Sequence, residues 1–356
     1  MAERIERLQI RLSDRGIDGL LLFDMTNIRY LTGFSGSEGA CLIPSKDRGV
    51  LLVDGRYITQ AREQVRGVGV TLYREMIAGI AALLADGALR TVGFESAAVT
   101  YDLYVRLKKQ LPGKKMKPLA DEVQRLRLVK DSAELVAISR AVDVSHRALN
   151  DVRTFIRAGV TEREVAVELE YGMRRLGAEG IAFPTIVSSG PRTALPHAQP
   201  GLRKFRKGDT VIIDYGAVVD GYRSDETCTF IIGDVRGKSD RLYEIVKEAH
   251  DRAIEAIRPG VTGRQVDRAA REVIEAHGFG DHFSHGTGHG VGLDVHENPR
   301  LSPTSDTVLE KGMVVTVEPG IYLPGRLGIR IEDMVVVEEG GCRVLTKTPK
   351  DMTILH

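Results

Sequence analysis

The sequence predicts two domains, an α/β domain followed by an α+β domain with an antiparallel sheet. Three observations support this fold class. The chain has 356 residues, which is long for a single hydrophobic core. Short apolar runs alternate with helical patterns up to about residue 126, as in an α/β layer. Beyond that point helices and strands segregate, which is typical of α+β domains.

The first domain is expected to span residues 1–126. Its charged start, MAERIERLQIRL, predicts an amphipathic helix rather than a signal peptide. Further helices are expected at 56–65 and 101–110, and strands at 18–24, 39–44, 49–55, 69–73 and 91–95. The basic segment 111–118 predicts a solvated loop that leads into a short strand, with a basic binding patch as the alternative.

A long charged segment follows, from EVQRLRLVKDSAEL to residue 156, and it contains no Gly or Pro. This pattern predicts a helix whose first part, residues 127–136, connects the domains. The second domain is then expected to span residues 137–356. Its helices are predicted around 133–156, 161–176, 239–257 and 262–277.

The composition is that of a soluble globular protein, with 42% apolar and 28% charged residues. A net charge of +1 gives no basic field, so neither a nucleic-acid nor a membrane partner is expected. No apolar run approaches the roughly 20 residues that span a bilayer. The three cysteines lie far apart in the sequence, which favours a reducing compartment. We therefore expect a cytoplasmic protein.

The stretch DTVIIDYGAVVDGYRSDETCTFII, residues 209–232, predicts a β-hairpin because Asp220-Gly221 separates two β-rich runs. In that register Val219 pairs with Tyr222, and Asp214 lies opposite Thr227. Asp225 then lies diagonally across from Asp214 on the same face. Two inward-facing aspartates are costly unless a positive charge lies between them. The alternative is that one of them faces solvent near the turn.

A second β-rich stretch, residues 312–340, carries Glu318 at the end of an apolar run and Glu332 inside a strand. Glutamate is uncommon in strands and is seldom buried without a partner. Taken singly, Glu332 is explained by an ion pair with Arg330, and Glu318 by a turn. Taken together with the two aspartates, they make four carboxylates on strands.

Between these two stretches, HGTGHGVGLDVHE places three of the nine histidines among glycines. A phosphate cradle is disfavoured because neither a P-loop nor a dinucleotide-binding pattern surrounds it. Four carboxylates carry more negative charge than one divalent ion can neutralise. Together with one imidazole, they match the charge of two divalent ions. Such carboxylates can bridge metals roughly 3.5–4 Å apart. Oxygen-rich ligation with one nitrogen favours manganese, with cobalt or zinc as alternatives.

The sequence resembles the pita-bread metallopeptidases, which include Xaa-Pro aminopeptidase, Xaa-Pro dipeptidase and methionine aminopeptidase. The resemblance rests on five motifs in order: LPHAQP, IIDYGAVVDGYRSDETCTF, HGTGHGVGLDVHENP, VEPGIY and RIEDMVVV. In addition, NIRYLTGFSGSEGACLI and LLVDGRYITQARE resemble the creatinase-type amino-terminal domain of the proline-specific branch. The expected second domain is therefore a pita-bread domain with a curved antiparallel sheet.

The resemblance implies that five side chains hold two metal ions: Asp214, Asp225, His289, Glu318 and Glu332. Asp225 and Glu332 would bridge the ions, and Glu318 would also move the water proton. His197 and His296 would hold substrate and donate to the oxyanion. Arg330 would lie close to the bridging carboxylates.

Further expectations concern His285, the glycines and Cys228. His285 lies near the site, and a hydrogen-bonded structural role is favoured for it over ligation. The glycines of this stretch would let backbone crowd beside the metal pair. Cys228 stands where members often carry arginine, and the hairpin register places its side chain on the face away from the metals.

The resemblance implies hydrolysis of the bond between an amino-terminal residue and proline, with a homodimer whose first domain shapes the amino-terminal pocket. The motifs TGFSGSEGA and DGRYITQA lean towards aminopeptidases, but dipeptidase and aminopeptidase stay open. A metal-free creatinase-type amidinohydrolase and a decayed, non-enzymatic binding module are disfavoured because no ligand is lost. A methionine aminopeptidase is disfavoured by the first domain and by the paired His197 and His296. The metal, the oligomer and the preferred first residue also stay open.

Overall fold

The computed structural model describes residues 1–85, 87–233 and 238–356. The described chain forms two compact units, Met1–Arg127 and Leu128–His356. The predicted connector, residues 127–136, begins where the first unit ends in the sequence. Its bounds, and those of the two predicted domains, stay a prediction.

The first unit is a mixed six-stranded sheet with helices, in the order β4-β3-β2-β1-β5-β6. Its strands are β1 (Gly19–Leu22), β2 (Ala40–Pro44), β3 (Val50–Val53), β4 (Gly69–Leu72), β5 (Thr91–Glu95) and β6 (Lys115–Leu119). Its helices are α1 (Ala2–Asp14), α2 (Met25–Thr32), α3 (Ile58–Gln64), α4 (Met76–Leu83), α5 (Tyr101–Gln110) and α6 (Glu122–Arg127). The predicted strands and helices are present, and α2 and α4 were not anticipated. The loop-then-strand prediction for residues 111–118 is also confirmed.

The long charged segment is not one continuous helix, contrary to the sequence prediction. Helix α6 ends at Arg127, and the next helix, α7, spans Ser132–Val152. Asp131 caps α7: its carboxylate accepts from Glu134 N, and the Glu134 carboxylate accepts from Asp131 N. Such a capping box stabilises a helix start by about 1 kcal/mol. The Asp-x-x-Glu pattern is visible in the sequence and marks the break.

The second unit has three further helices and fourteen strands among its described residues. The helices are α8 (Glu162–Arg175), α9 (Lys238–Ala256) and α10 (Gly263–Ala276). The strands are β7 (Gly180–Ile181), β8 (Ile186–Ser189), β9 (Thr210–Tyr215), β10 (Ala217–Val219), β11 (Tyr222–Arg223), β12 (Glu226–Ile232), β13 (Gly288–Gly290), β14 (Glu297–Leu301), β15 (Val314–Val317), β16 (Gly320–Leu323), β17 (Leu327–Arg330), β18 (Asp333–Glu338), β19 (Gly341–Val344) and β20 (Thr353–Leu355).

Two sheets of this unit carry the candidate site. They are the four-stranded sheet β20-β12-β9-β8 and the five-stranded sheet β14-β13-β15-β18-β19. Smaller sheets, β11-β10-β7 and β16-β17, complete the unit. Their strand pairs are antiparallel, as predicted, except for β12 and β20, which are parallel.

Each large sheet is covered on one face by a helix pair. Helices α7 and α8 pack on the first sheet through a buried cluster that includes Leu149, Leu169 and Phe230. Helices α9 and α10 pack on the second through Val246 and its neighbours. Fully burying one such side chain contributes roughly 1.5–3 kcal/mol. Because strand side chains alternate between faces, residues next to those in the core are free to point into a site.

Candidate metal centre

Every site residue predicted from the sequence lines a single cavity of about 440 Å³ in the second unit. The predicted residues that line it are His197, Asp214, Asp225, His285, His289, His296, Glu318, Arg330 and Glu332. They come from positions far apart in the chain, so the fold brings the two β-rich stretches and the histidine stretch to one place.

The hairpin places Asp214 and Asp225 as the sequence predicts. Val219 pairs with Tyr222, and Asp214 with Thr227. Asp220 and Gly221 have φ of 51° and 82°, which are the positive values that a two-residue hairpin turn of this type requires. The pairing register, with alternate side chains on each face, therefore explains why both aspartates reach the cavity.

The second β-rich stretch and the histidine stretch supply the remaining carboxylates and the imidazole. His289 Nε2 lies 3.3 Å from Glu318 Oε1 and 3.7 Å from Asp225 Oδ2. One ligand atom each from Asp225, His289 and Glu332 lies within 4.8 Å of the other two. His289 Nδ1 lies 3.1 Å from Gly290 O, and a carbonyl can only accept. Nδ1 therefore carries the proton, which leaves Nε2 free to bind a metal.

The cluster carries more negative charge than the protein around it can balance. Burial raises the pKa of Asp225 and of Glu332 well above the usual range, and repulsion from the neighbouring carboxylates raises both further. Burial also raises the pKa of Asp214, although Arg330 opposes it. Carboxylates placed this close need positive charge between them to stay ionised.

A buried oxygen of Asp214 gives a direct test of whether a metal fits here. Asp214 Oδ2 accepts from Arg330 Nη2 at 2.7 Å. Asp214 Oδ1 is buried and, within the described residues, has no hydrogen-bond partner. A buried oxygen without a donor is costly unless a cation takes the place of the donor. Oxygen donors with one imidazole nitrogen suit manganese, cobalt or zinc, so the donor set fits divalent metal.

Arg330 pairs with Asp214 and not with Glu332, so the ion pair considered for Glu332 does not form. Its guanidinium also donates to Tyr322 Oη at 3.0 Å and to Thr227 Oγ1 at 3.1 Å. Thr227 in turn donates to Glu332 Oε2 at 2.6 Å. Thr227 therefore links Arg330 to the Glu332 carboxylate by hydrogen bonds. The sequence predicted only that Thr227 pairs with Asp214 in the hairpin and indicated no role for its hydroxyl.

His285 makes two hydrogen bonds, which is the structural arrangement favoured for it. Its Nδ1 donates to Gly286 O at 2.8 Å, and its Nε2 accepts from Tyr322 Oη at 2.9 Å. Burial lowers the pKa of His285 and keeps the ring neutral. Sequence reasoning missed Tyr322, because the strand pattern does not reveal that its hydroxyl contacts both His285 and Arg330.

His197 and His296 are more exposed than the metal-binding set and lie at the cavity wall. The rings of His296 and His289 have centroids 4.4 Å apart. Burial lowers the pKa of His296, and positive charge at His289 would lower it further. A neutral imidazole still has one N–H with which to donate.

The glycines near His289 serve close packing between strands. A Cβ on Gly288 would lie 2.0 Å from Thr316 O, and one on Gly290 would lie 2.2 Å from Asn298 O. The backbone that they approach is that of the neighbouring strands β15 and β14. Close approach of backbone is therefore the reason for these two glycines, and that the crowding serves a metal pair stays a prediction.

Cys228 points away from the cavity, as the hairpin register predicts. Its Sγ lies 3.6 Å from Lys350 Nζ, on the opposite face of β12 from Thr227. In the described part of the chain, no helix has the length and apolar character needed to cross a membrane.

Each of the two units matches a known protein family. Residues 136–339 match metallopeptidase family M24, and residues 4–129 match the creatinase/prolidase N-terminal domain. An Xaa-Pro dipeptidase of Pyrococcus furiosus is 38% identical over 99% of this chain and 100% of the relative. The structure of an Xaa-Pro dipeptidase from Bacillus anthracis superposes with a TM-score of 0.96 at 41% identity, covering 99% of each chain. An X-Pro aminopeptidase from Thermotoga maritima gives a TM-score of 0.92 at 38% identity, also covering 99% of each chain.

Proposed function

The chain belongs to metallopeptidase family M24, and we propose that it is an Xaa-Pro dipeptidase that cleaves the bond between an amino-terminal residue and a carboxyl-terminal proline. The observation that carries this proposal is the convergence of four carboxylates and His289 on one cavity. The chain has the predicted fold, an α/β creatinase-like domain followed by an α+β pita-bread catalytic domain. A metal-free amidinohydrolase or a decayed binding module would not need this ligand set, and a methionine aminopeptidase would not need the first domain.

Five side chains would hold two divalent ions: Asp214, Asp225, His289, Glu318 and Glu332. Bound there, the ions would lower the pKa of a water molecule and polarise the scissile carbonyl. We propose manganese as the metal, on the strength of the oxygen-rich donor set.

Glu318 is placed to move the proton of the attacking water. Its side chain is 19% exposed, against 6% for Asp225, so it is the more accessible of these two carboxylates from the cavity. Burial alone would raise the pKa of Glu318, but in the metal-free protein a His289 protonated at Nε2 outweighs burial through its hydrogen bond and charge and lowers that pKa to about 2. When Nε2 binds a metal instead, the cation would favour the ionised carboxylate in the same way. Glu318 is therefore ionised, and it would accept the water proton and pass it to the leaving imino nitrogen.

His296 and His197 would handle the substrate at the cavity wall. A neutral His296 can donate its N–H to the developing oxyanion. His197, on the exposed loop before β9, would hold the substrate peptide. Neither side chain is needed for metal binding, so both would act on the reacting peptide directly.

Arg300 supports the dipeptidase over the aminopeptidase. It lies on β14 opposite His289 and lines the cavity, close enough that its charge helps to lower the pKa of His296. Arg330, the other arginine at the cavity, is paired with Asp214. Within the residues that the structure describes, no carboxylate lies within ion-pair distance of Arg300. Its guanidinium would therefore pair with the free carboxylate of a dipeptide.

The test compares three substrates, Xaa-Pro, its amide Xaa-Pro-NH2 and Xaa-Pro-Xaa, after chelation and manganese repletion. We expect the free dipeptide to be hydrolysed with the highest kcat/KM. Arg300→Gln should raise KM for the dipeptide by about 10-fold or more and leave hydrolysis of the amide little changed. Arg326→Gln, on the exposed β16–β17 turn, serves as the matched control. Equal or better cleavage of Xaa-Pro-Xaa would indicate an aminopeptidase instead.

The location and assembly of the protein are part of the same proposal. Its three cysteines, Cys41, Cys228 and Cys342, are free thiols, which supports a reducing, cytoplasmic location. The homodimer rests on the resemblance of the first domain to the creatinase type. Light scattering of the purified protein measures the assembly directly.

A further inference from the structure

A buried ionic cluster lies behind the metal ligands, and no step of the proposed reaction uses it. Glu226 and Asp333 directly follow the ligands Asp225 and Glu332 in the sequence. They are the first residues of β12 and β18, and neither lines the cavity that Asp225 and Glu332 line, so the two carboxylates lie on the side away from it. Both are nearly inaccessible to solvent, so each needs a partner on that side.

Lys350 lies within ion-pair distance of both carboxylates, and His250 Nε2 also lies 3.1 Å from Asp333 Oδ2. Lys350 Nζ lies 2.5 Å from Glu226 Oε1 and 3.5 Å from Asp333 Oδ1. The lysine side chain is 6% exposed. Removing one member of such a buried set leaves an uncompensated charge, which is strongly destabilising.

The segment that carries Lys350 is held in place at several points. Thr348 N donates to Glu226 Oε1 at 3.3 Å, and Thr346 Oγ1 donates to Asp333. Tyr243 on α9 donates to Lys350 O at 3.1 Å. Further along, β20 pairs with β12. The ammonium group therefore occupies a fixed position.

The two carboxylates belong to different sheets. Glu226 begins β12 in the four-stranded sheet, and Asp333 begins β18 in the five-stranded sheet. These strands are not paired in a ladder. Lys350 therefore joins the two sheets at the point where each presents a ligand to the cavity.

We propose that Lys350 is a positioning residue for the metal centre, which sets the separation of Asp225 and Glu332 by holding Glu226 and Asp333 together. This inference rests on the proposed function, because it concerns the ligands that would bridge the metals. Residues that orient ligands from behind typically change metal affinity by about 10–100-fold when they are removed.

The experiment is a titration of the metal-free full-length protein with Mn²⁺ in a calorimeter, using wild type, Lys350→Met and Lys347→Met. Lys347 lies on the same segment, and its exposed side chain pairs with Asp143, which is not part of the buried cluster, so it is the matched control. We expect Lys350→Met to bind Mn²⁺ about 10–100-fold more weakly and Lys347→Met to bind as wild type does. At saturating Mn²⁺, KM of Lys350→Met for Xaa-Pro should stay near the wild-type value.

A role in folding alone would give a different result. Lys350→Met would then unfold at a lower temperature but bind Mn²⁺ as tightly as wild type, and this outcome would overturn the inference. The visible spectrum of the Co²⁺-loaded protein adds a second readout, because altered ligand geometry shifts the absorption bands while lower stability does not. If Lys350→Met does not fold, Glu226→Gln takes its place, and unchanged Mn²⁺ affinity in that variant would overturn the inference equally.

The same measurements distinguish failure of the proposed function from failure of the role proposed for Lys350. A wild-type protein that binds no Mn²⁺ would refute the metallopeptidase proposal itself. A wild type that binds Mn²⁺ and cleaves Xaa-Pro, beside a folded Lys350→Met of equal affinity, would refute only the role of Lys350.

Discussion

At the scale of single residues, the site consists of buried carboxylate side chains whose surroundings in the protein disfavour their charge. Asp225 and Glu332 are buried beside other carboxylates, which raises the pKa of both. Asp214 keeps one oxygen without a donor among the described residues. Each of these features is costly alone, and bound divalent metal would relieve all of them together. The unfavourable local chemistry is therefore the strongest indication of function in the chain.

Asp225→Asn tests this argument directly. The amide has nearly the same size but cannot balance a metal charge, so turnover should be abolished and Mn²⁺ affinity should fall by more than about 100-fold. Because the substitution also removes carboxylate repulsion, the metal-free variant should be no less stable than the metal-free wild type. Steady-state rates, metal content and thermal unfolding measure the three effects. Near-normal activity would contradict the two-metal site.

The residues of the site differ in how far the sequence could predict them. Asp214 and Asp225 follow from local rules, since the Asp-Gly turn sets the register and the register sets the face. The bond from Arg330 to Asp214, the hydroxyl of Tyr322 and the position of Lys350 follow from no local rule. The first and the last depend on partners more than a hundred residues away. The Tyr322 hydroxyl depends on His285 and Arg330, which only the folded chain brings together around it.

At the scale of elements, the hairpin β9–β12 is the part that carries two ligands into the cavity. Its course depends on Gly216, where a Cβ would lie 2.0 Å from Ser224 O and 2.9 Å from the Cβ of Ala182. Only glycine allows the backbone to approach this closely. The geometry of Asp214 and Asp225 is therefore sensitive to a residue that makes no contact with metal or substrate.

Gly216→Ala should move this hairpin and weaken Mn²⁺ binding. We expect a loss of roughly 1–3 kcal/mol in the free energy of unfolding, as is typical of overpacking, together with lower metal affinity. Gly341→Ala is the control, because its Cβ would meet open space and its backbone is not left-handed. Urea unfolding and metal titration measure both variants. Full Mn²⁺ affinity in Gly216→Ala would show that the hairpin tolerates the shift.

The elements themselves were largely predictable from periodicity and turn residues, and the exceptions have identifiable causes. The break between α6 and α7 was missed because the charged, glycine-free run outweighed the Asp131–Glu134 capping box. The parallel pairing of β20 with β12 was missed because its two strands are far apart in the sequence. A short strand of three residues has no periodicity from which to infer its partner.

At the scale of the whole molecule, metal binding should appear as stability. Ligand that binds only the folded state adds about 2.7 kcal/mol at a concentration of 100 Kd. We therefore expect Mn²⁺ to raise the unfolding temperature of the chelator-treated protein, and Mg²⁺ to do so less because it dehydrates reluctantly. Asp225→Asn should show little or no rise. An equal rise in that variant would place the stabilising metal elsewhere.

The contacts of residues 346–355 also set an order of events during synthesis. The first unit contains its own sheet and can fold while the rest of the chain is still being made, as amino-terminal domains generally do. Lys350 contacts Glu226, and β20 pairs with β12, so the ligand-bearing hairpin completes its packing only after this segment has been made. A polypeptide that stops before Lys350 is therefore expected to bind Mn²⁺ more weakly than the full chain, which a metal titration of the two would measure.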